Sequence, residues 1–419
     1  MLREFRLRAG MTQEELAEGS GVSARTISLL ETGRREAPRL ASARLLAEAL
    51  SLPVEERGAL FAATRGEMTG LLPTQQTGER TTTTETAVQV GSHGFLPYDV
   101  PDFVGRDAEL NRLRHLASLS ASTVIAVLDG MAGIGKSALA VHAGHALTAL
   151  YPDGQFYCDL RGFSQGHQPL DPAEALEALL RMVNVPSWQI PPTVDERAAL
   201  WRASVAGQRV LVVLDNVSDT DQVRPLLPGT AGSLVVVTSR RRLPALAGAI
   251  PLSLDVLPPG DALRLFTRVA GRDRMRDEEA SAAEIVKLCG FLPMAVRIAA
   301  VRLANRPSWT TGHLAERLRD DNRRLGELAV AGMPGVATTF TLSYRLLDQH
   351  QLRLFRLLGR HGGEVFDPDA AATLAGLTPM RAEELLETLV DNHLLLQPAP
   401  GRYTFHELLR DQARSLTED

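Results

Sequence analysis

The sequence predicts a multidomain chain of α and α/β class, and three patterns carry that expectation. Short helices separated by Gly, Pro and Ser signals fill the first 66 residues, ending in the apolar-periodic stretch Leu40 to Leu50 and a helix after Pro53. Apolar, β-rich runs at Thr123 to Leu128, Val210 to Leu214 and Leu234 to Thr238 then alternate with helical stretches, the pattern of a parallel sheet with covering helices. After about Pro258 helices take over until a single apolar pair, Leu394 to Gln397 and Tyr403 to Phe405. Between the front unit and the sheet, Arg65 to about Pro97 shifts to Thr, Gln and Gly, including Thr81 to Thr84, and reads as a flexible linker.

Composition narrows the class. A chain of 419 residues holds roughly two to four domains. With 44% apolar and 23% charged residues and a net charge of -5, it has an ordinary soluble profile, and bulk charge argues for no partner. The start carries Arg3, Arg6 and Arg8 without an apolar core, and no run is long enough for a membrane span, so a cytoplasmic protein is expected. Cys158 and Cys289 supply neither a disulfide framework nor a zinc site. Only Lys136 and Lys287 are lysines among 45 basic residues, which directs attention to chemistry that a guanidinium does not supply.

Lys136 lies in such a place. Gly130-Met-Ala-Gly133-Ile134-Gly135-Lys136-Ser137 fits the GxxxxGK[ST] pattern between an apolar strand and a helix, with Ala138 next on that helix. Its glycines let backbone N–H groups curl around a phosphate at a helix N-terminus, Lys136 reaches the terminal phosphate oxygens, and the Ser137 hydroxyl ligates Mg²⁺. Asp215 ends the run Val210 to Leu214 and is the second candidate on the metal side. Asn216 follows it, and because an amide takes no proton, the site is built to hold a nucleotide better than to cleave it, a slow ATPase at most. Arg240, after the third run, is placed to sense a γ-phosphate; with Arg241 and Arg242 beside it, a solvated basic turn is the alternative. Lys136, Asp215 and Arg240 are thus the candidates for chemistry on the phosphates. His142 and His145 lie three apart on the following helix but lack a third metal ligand nearby, so packing is expected of them.

Further motifs follow in order: Phe103-Val-Gly-Arg106, Phe156-Tyr-Cys-Asp-Leu-Arg-Gly162, Leu214-Asp-Asn216, Val237-Thr-Ser-Arg240, Gly290-Phe-Leu-Pro-Met-Ala295 and Tyr403-Thr-Phe-His-Glu407. Residues 99 to 415 thereby resemble the signal-transduction P-loop NTPases with numerous domains, of the NB-ARC type found in actinobacterial regulators of antibiotic production. The resemblance implies a P-loop nucleotide-binding domain over 99–257, a helical domain over 258–335 and a winged helix over 336–419. It implies ADP or ATP with Mg²⁺ as ligands, Val104, Gly105 and Arg106 on the adenine side, and Pro293 packed on the base. His406 falls where the family's histidine reaches the β-phosphate of ADP and locks the winged helix, although Phe405 and Glu407 depart from the family's Met and Asp. The family's chains continue into sensor repeats, whereas this sequence ends at Asp419, so the upstream signal is unidentified.

At the front, Thr12-Gln-Glu-Glu-Leu-Ala17, a Ser20-Gly21 turn and Val22 to Glu31 have the shape of a helix-turn-helix, with Thr12 and Ser23 as caps and Leu16, Ala17, Val22, Ile27 and Leu30 inside. Residues 1–66 resemble the phage-repressor and XRE family, which implies five helices, and 67–98 remain as linker. The resemblance places Ala24, Arg25 and Leu29 at base edges and Gln13, Ser23, Arg34, Arg35 and Arg39 at phosphates, with Thr26 and Ser28 on the same helix. Arg25 can read guanine, while Ala24 can only touch a thymine methyl. Ten Arg against nine Glu give this unit little net charge, but residues 23–44 hold five Arg against two Glu, a local basic face. The function expected is a transcriptional regulator, off with ADP and on with ATP, that self-associates to place several front domains on DNA. The alternative is an assembly scaffold whose front domain is a protein adaptor.

Overall fold

The computed structural model describes residues 2–9, 11–31, 46, 49–50, 94–119, 121–275 and 278–416. The chain divides into two units, 1–87 and 88–419. The first begins with α1 (Leu2–Arg8), α2 (Gln13–Ser20) and α3 (Ala24–Glu31). Both expected caps form. Thr12 and Glu15 make a reciprocal capping box, with Glu15 N donating to Thr12 Oγ1 at 3.1 Å and Thr12 N to Glu15 Oε2 at 2.7 Å. Ser23 Oγ accepts from Thr26 N at 3.3 Å. Leu2, Phe5, Leu16, Val22 and Ile27 bury against Leu46 and Leu50, which sets the angle between the helices. The last helices of the expected five, with Arg34, Arg35 and Arg39, lie outside the described residues, as does most of the expected linker.

In the second unit α4 (Asp107–Ala117) precedes a five-stranded sheet with the order β2-β3-β4-β1-β5 and every pairing parallel. The strands are β1 (Val124–Asp129), β2 (Gly154–Asp159), β3 (Val210–Val217), β4 (Leu234–Ser239) and β5 (Ala249–Ser253). Between them run α5 (Lys136–Leu147), α6 (Pro172–Met182), α7 (Val194–Ser204) and the short α8 (Thr220–Val223). Period-two alternation of aliphatic side chains divides the core. Ala126, Leu128, Leu211, Val213 and Val236 face α4 and α5, while Ile125, Val127, Val212, Leu214 and Val237 face α6 and α7. The three expected strands are the inner ones. The edge strands β2 and β5 went unread because Gly154 and Gln155 open one and Pro251 interrupts the other, a residue tolerated where only one neighbour needs hydrogen bonds.

Helices α9 (Pro259–Ala270), α10 (Glu279–Leu288), α11 (Pro293–Ala304), α12 (Thr311–Arg319), α13 (Asp321–Glu327) and α14 (Val336–Tyr344) follow. The last part comprises α15 (Gln349–Gly359), β6 (Val365–Phe366), α16 (Pro368–Ala375), α17 (Pro379–Asp391), β7 (Leu396–Ala399), β8 (Arg402–Thr404) and α18 (Glu407–Ser415). Its strands form an antiparallel sheet in the order β6-β8-β7, the wing of a winged helix. The expectation of one apolar pair is corrected here: β6 is a third strand, too short for a periodic signal. The linker expectation is corrected at its end, because Phe95 N donates to Gln155 O at 2.8 Å and so holds residues near 95 beside β2.

Candidate functional site

Parallel strands deliver their C-terminal ends to one edge of the sheet, and the candidate residues collect there. A cavity of about 410 Å³ is lined by Gly133 to Ala138, Asp215, Asn216, Thr238, Ser239 and Arg240, with Val104, Arg106 and Pro293 on other walls. Of the expected set, Gly105, Gly130 and His406 are not on its wall. Phe103 and Met294, from motifs already noted, are on it, and so are Asp102, Leu257, Leu265 and Arg297, which sequence reasoning had not singled out. The wall near Phe103, Val104, Leu257, Leu265 and Pro293 is apolar, suited to a flat ring, and the opposite end is polar.

Lys136 opens α5 and is buried, its Nζ donating to Gly130 O at 2.7 Å and Met131 O at 2.9 Å. Burial and the nearby Arg240 guanidinium push its amine down to about 7, against the pull of Asp215 and Asp129. Ser137, beside it, is exposed. Asp215 is held on both oxygens: Thr238 Oγ1 donates to Oδ1 at 2.5 Å and Tyr157 OH to Oδ2 at 2.9 Å. Burial and the Asp215 charge raise the Tyr157 phenol above its usual range, so it stays a donor. Tyr157 and Thr238 both lay within motifs already noted, but their role needs the register that sets β2, β3 and β4 side by side. Asn216 takes a left-handed backbone (φ 61°) at a register shift in β3, and its Nδ2 donates to Ser164 Oγ at 3.0 Å.

Arg240 lines the cavity yet is also tied outward. Its Nη1 donates to Thr339 O at 2.8 Å and Ser343 Oγ at 3.2 Å on α14, and its guanidinium lies 5.1 Å from the Phe163 ring centre. Burial lowers it to about 10. Arg106 is a brace, donating from Nη2 to Ile134 O at 3.1 Å and Asp255 O at 2.6 Å. Met294 N donates to Gly133 O at 3.2 Å, and a Cβ at Gly133 would lie 3.0 Å from Met294 Cβ, so only glycine lets α11 approach the loop this closely. His142 and His145 hold the segment before α4: Nδ1 of His142 is 2.9 Å from Asp99 Oδ2, and Nε2 of His145 is 2.8 Å from Pro97 O. The His142 ring also stacks on Phe103 at 4.1 Å.

His406 is buried at the start of α18 and meets the cavity only through its wall. Its Nε2 donates to Gly290 O at 2.9 Å, and its Nδ1 accepts from Leu408 N at 3.3 Å. These two bonds need the neutral ring with hydrogen on Nε2. Burial holds its pKa below the usual 6.5, although Gly290, Glu407 and Asp255 pull the other way. His406 thereby meets the backbone of the segment that leads into Pro293.

In the front unit one N–H of the Gln13 amide is engaged, its Nε2 donating to Glu31 Oε2 at 2.6 Å. Glu31 also accepts from Arg6 Nε at 2.6 Å. The Ser23 and Thr26 hydroxyls lie 2.9 Å apart, and Ala24 and Ser28 are half-buried. The side chains of Arg25 and Leu29 lie outside the described residues.

A Walker-type phosphate loop on a parallel sheet, followed by helical and winged-helix parts, defines the class: a P-loop NTPase module. Residues 2–57 match the helix-turn-helix family HTH_3. The chain is 46% identical over 325 residues to the regulatory protein AfsR of Streptomyces griseus, covering 77% of this chain and 33% of that protein. It is 30% identical over 193 residues to disease resistance RPP8-like protein 3 of Arabidopsis thaliana, covering 43% and 20%. Among solved structures, a Walker-type ATPase of Pyrococcus abyssi superposes with a TM-score of 0.50 at 13% identity, covering 76% of this chain and 99% of that one. The chain thus joins an XRE-type helix-turn-helix to an NB-ARC-like module resembling that of AfsR, and it spans about a third of the length of its curated AfsR relatives. No helix among the described residues is long and apolar enough to cross a membrane.

Two expectations follow from His406. Gly290 has φ 57°, and a Cβ there would lie 2.5 Å from His406 Cε1, so Gly290→Ala should cost about 1–3 kcal/mol in denaturant unfolding. Because the folded pKa of His406 lies below the unfolded value of 6.5, its contribution is complete above that pH and is lost as pH falls through the folded value. Melting temperature should drop on acidification below about pH 6.5, and His406→Gln, which keeps an Nε2 donor but does not titrate, should flatten that part of the profile.

Proposed function

We propose that the chain is a nucleotide-switched transcriptional regulator: the front helix-turn-helix binds DNA, and the P-loop module decides whether several copies gather there. The observation that carries the reading is the buried Lys136 beside Ser137, Asp215 and Arg240 around one cavity with an apolar ring-binding wall. The domains proposed for these roles are 1–66, 99–257, 258–335 and 336–419.

ADP or ATP would lie with its ring against Val104 and Pro293 and its phosphates at Gly133 to Ala138. Bound Mg²⁺ would supply charge neutralisation between phosphate oxygens. Ser137 and Asp215 fit a hard cation by donor type, since Tyr157 and Thr238 each use one lone pair on Asp215 and leave others. Lys136 holds the terminal phosphates. Arg240 exchanges between its α14 acceptors and a γ-phosphate, so ATP and ADP differ in how firmly α14 is held. His406 grips Gly290 and keeps the winged helix against the wall that carries Pro293. Asn216 offers no base for an attacking water, so the site retains nucleotide and turns it over slowly at most.

Because Lys136 is lowered to about 7, an anion at the loop raises it again and binding takes up a proton. Calorimetry of ADP binding in buffers of different ionisation enthalpy should therefore show proton uptake near about pH 8 and much less near about pH 6. The function itself is tested by fluorescence anisotropy on DNA from upstream of the chain's own gene, with ADP or a non-hydrolysable ATP analogue. Tighter binding with the ATP analogue is expected, and Lys136→Ala should abolish the difference. Equal affinity in both nucleotide states would reject the switch, and absence of DNA binding in both would reject the regulator.

A further inference from the structure

Sequence reasoning left Arg241 and Arg242 as a basic turn and gave His393 and Asp129 no part. In the structure these four residues meet. Asp129 is the last residue of β1, directly before the phosphate loop, and His393 lies just beyond α17 of the winged helix. His393 Nε2 approaches Asp129 Oδ1 at 3.1 Å, with side-chain exposures of 12% and 3%. Neither atom makes a hydrogen bond, so the two face each other as a close, buried polar pair. Burial alone would raise the Asp129 carboxyl, but His393, Ser253 and Arg242 hold it below the usual range.

Flanking contacts make this a docking seam. Arg241 Nε donates to Asn392 Oδ1 at 2.6 Å, and Arg242 N donates to Asp391 O at 3.0 Å. Three successive residues, Asp391 to His393, thus engage the β4 turn and the end of β1. The exposed Arg242–Asp391 ion pair, at 3.3 Å, adds little next to the buried contacts. His393 itself has φ 51°, a left-handed backbone that a non-glycine residue adopts only when its surroundings demand it.

We propose that His393 is a positioning residue for the phosphate loop: by holding Asp129 it sets where the loop leaves β1, so that winged-helix docking and nucleotide retention depend on each other. The path is short. Asp129 O accepts from Leu254 N at 2.9 Å, Gly130 follows, and Gly130 O receives the Lys136 ammonium at 2.7 Å. Pulling the winged helix away removes the imidazole that faces a buried carboxylate at the root of this path, and a buried carboxylate left without that facing group is costly. The seam lies on β1 and β4, whereas His406 acts on Gly290 before α11, so the winged helix holds the module at two separate points. The nucleotide half of the proposal rests on the function proposed above.

The test compares His393→Ala with His393→Gln in the full chain. Both keep a side chain at the same left-handed position, so their difference reads the polar contact with Asp129 and not backbone strain. Hydrogen exchange of residues 129–136, measured without nucleotide, should quicken about tenfold in the Ala variant and return toward the parent rate in the Gln variant. Release of a fluorescent ADP analogue should quicken by a similar factor, about tenfold. Asp129→Asn, which keeps the volume and loses the charge, should resemble His393→Ala, and the double variant should add nothing further. Unchanged exchange and release in His393→Ala, or a Gln variant as impaired as Ala, overturns the proposal. A parent that binds no ADP analogue would count against the nucleotide switch, while the exchange comparison still decides the His393 contact.

Discussion

The parallel register of β1, β4 and β3 is the constraint on which the rest of the module depends. Leu128 lies opposite Thr238 and Leu214 opposite Val237, so the residues that follow these strands emerge together at one edge. Thr238 then bridges outward to Asp215, and the phosphate loop rises from Asp129 two strands away. An antiparallel neighbour would carry one of these ends to the opposite side of the sheet. The aliphatic alternation that buries both faces fixes this register, because a slip of one residue would exchange the two cores. Core packing and site geometry are therefore set by the same side chains.

The elements around the loop meet largely on backbone acceptors. From the later parts of the chain Met294 N meets Gly133 O and His406 meets Gly290 O, and Arg106, before the sheet, meets Ile134 O. Backbone acceptors are present whatever the side chain, so sequence motifs do not advertise these bonds, yet each depends on the relative position of two elements to a few tenths of an ångström. That geometry suits a switch. Small shifts at the loop break or remake whole hydrogen bonds in place of gradual deformation, because packed cores are bistable. Arg240 reaches out in the same way, its guanidinium donating to Thr339 O and Ser343 Oγ on α14.

The inner strands and the phosphate loop were legible because each combines local periodicity with a residue type that only one chemistry requires, as with Lys136 in a chain that otherwise avoids lysine. Edge strands β2 and β5 were not, since one opens with Gly and Gln and the other contains Pro251. His406 was found by motif order, but its acceptor was not: Gly290 lies 116 residues earlier, and nothing local to either residue encodes the pairing. Gln13 shows the same limit in the front unit. The fold alone reveals that its amide donates to Glu31, 18 residues further on.

Glu31 also changes the electrostatics of the front unit. It accepts from both Arg6 and Gln13, so one acidic residue at the end of α3 neutralises the buried Arg6. Arg6 therefore serves the core between α1 and α3 and contributes little to a DNA-facing charge. In the function proposed above, the basic excess offered to DNA would come chiefly from the stretch that includes Arg25, Arg34, Arg35 and Arg39, a small number of phosphate contacts for one copy. Weak binding by a single front unit would then make control by assembly effective, since linking several such units raises occupancy steeply without improving any one contact. A strong DNA reader would remain bound whatever the P-loop module did; a weak one would leave the decision to the module.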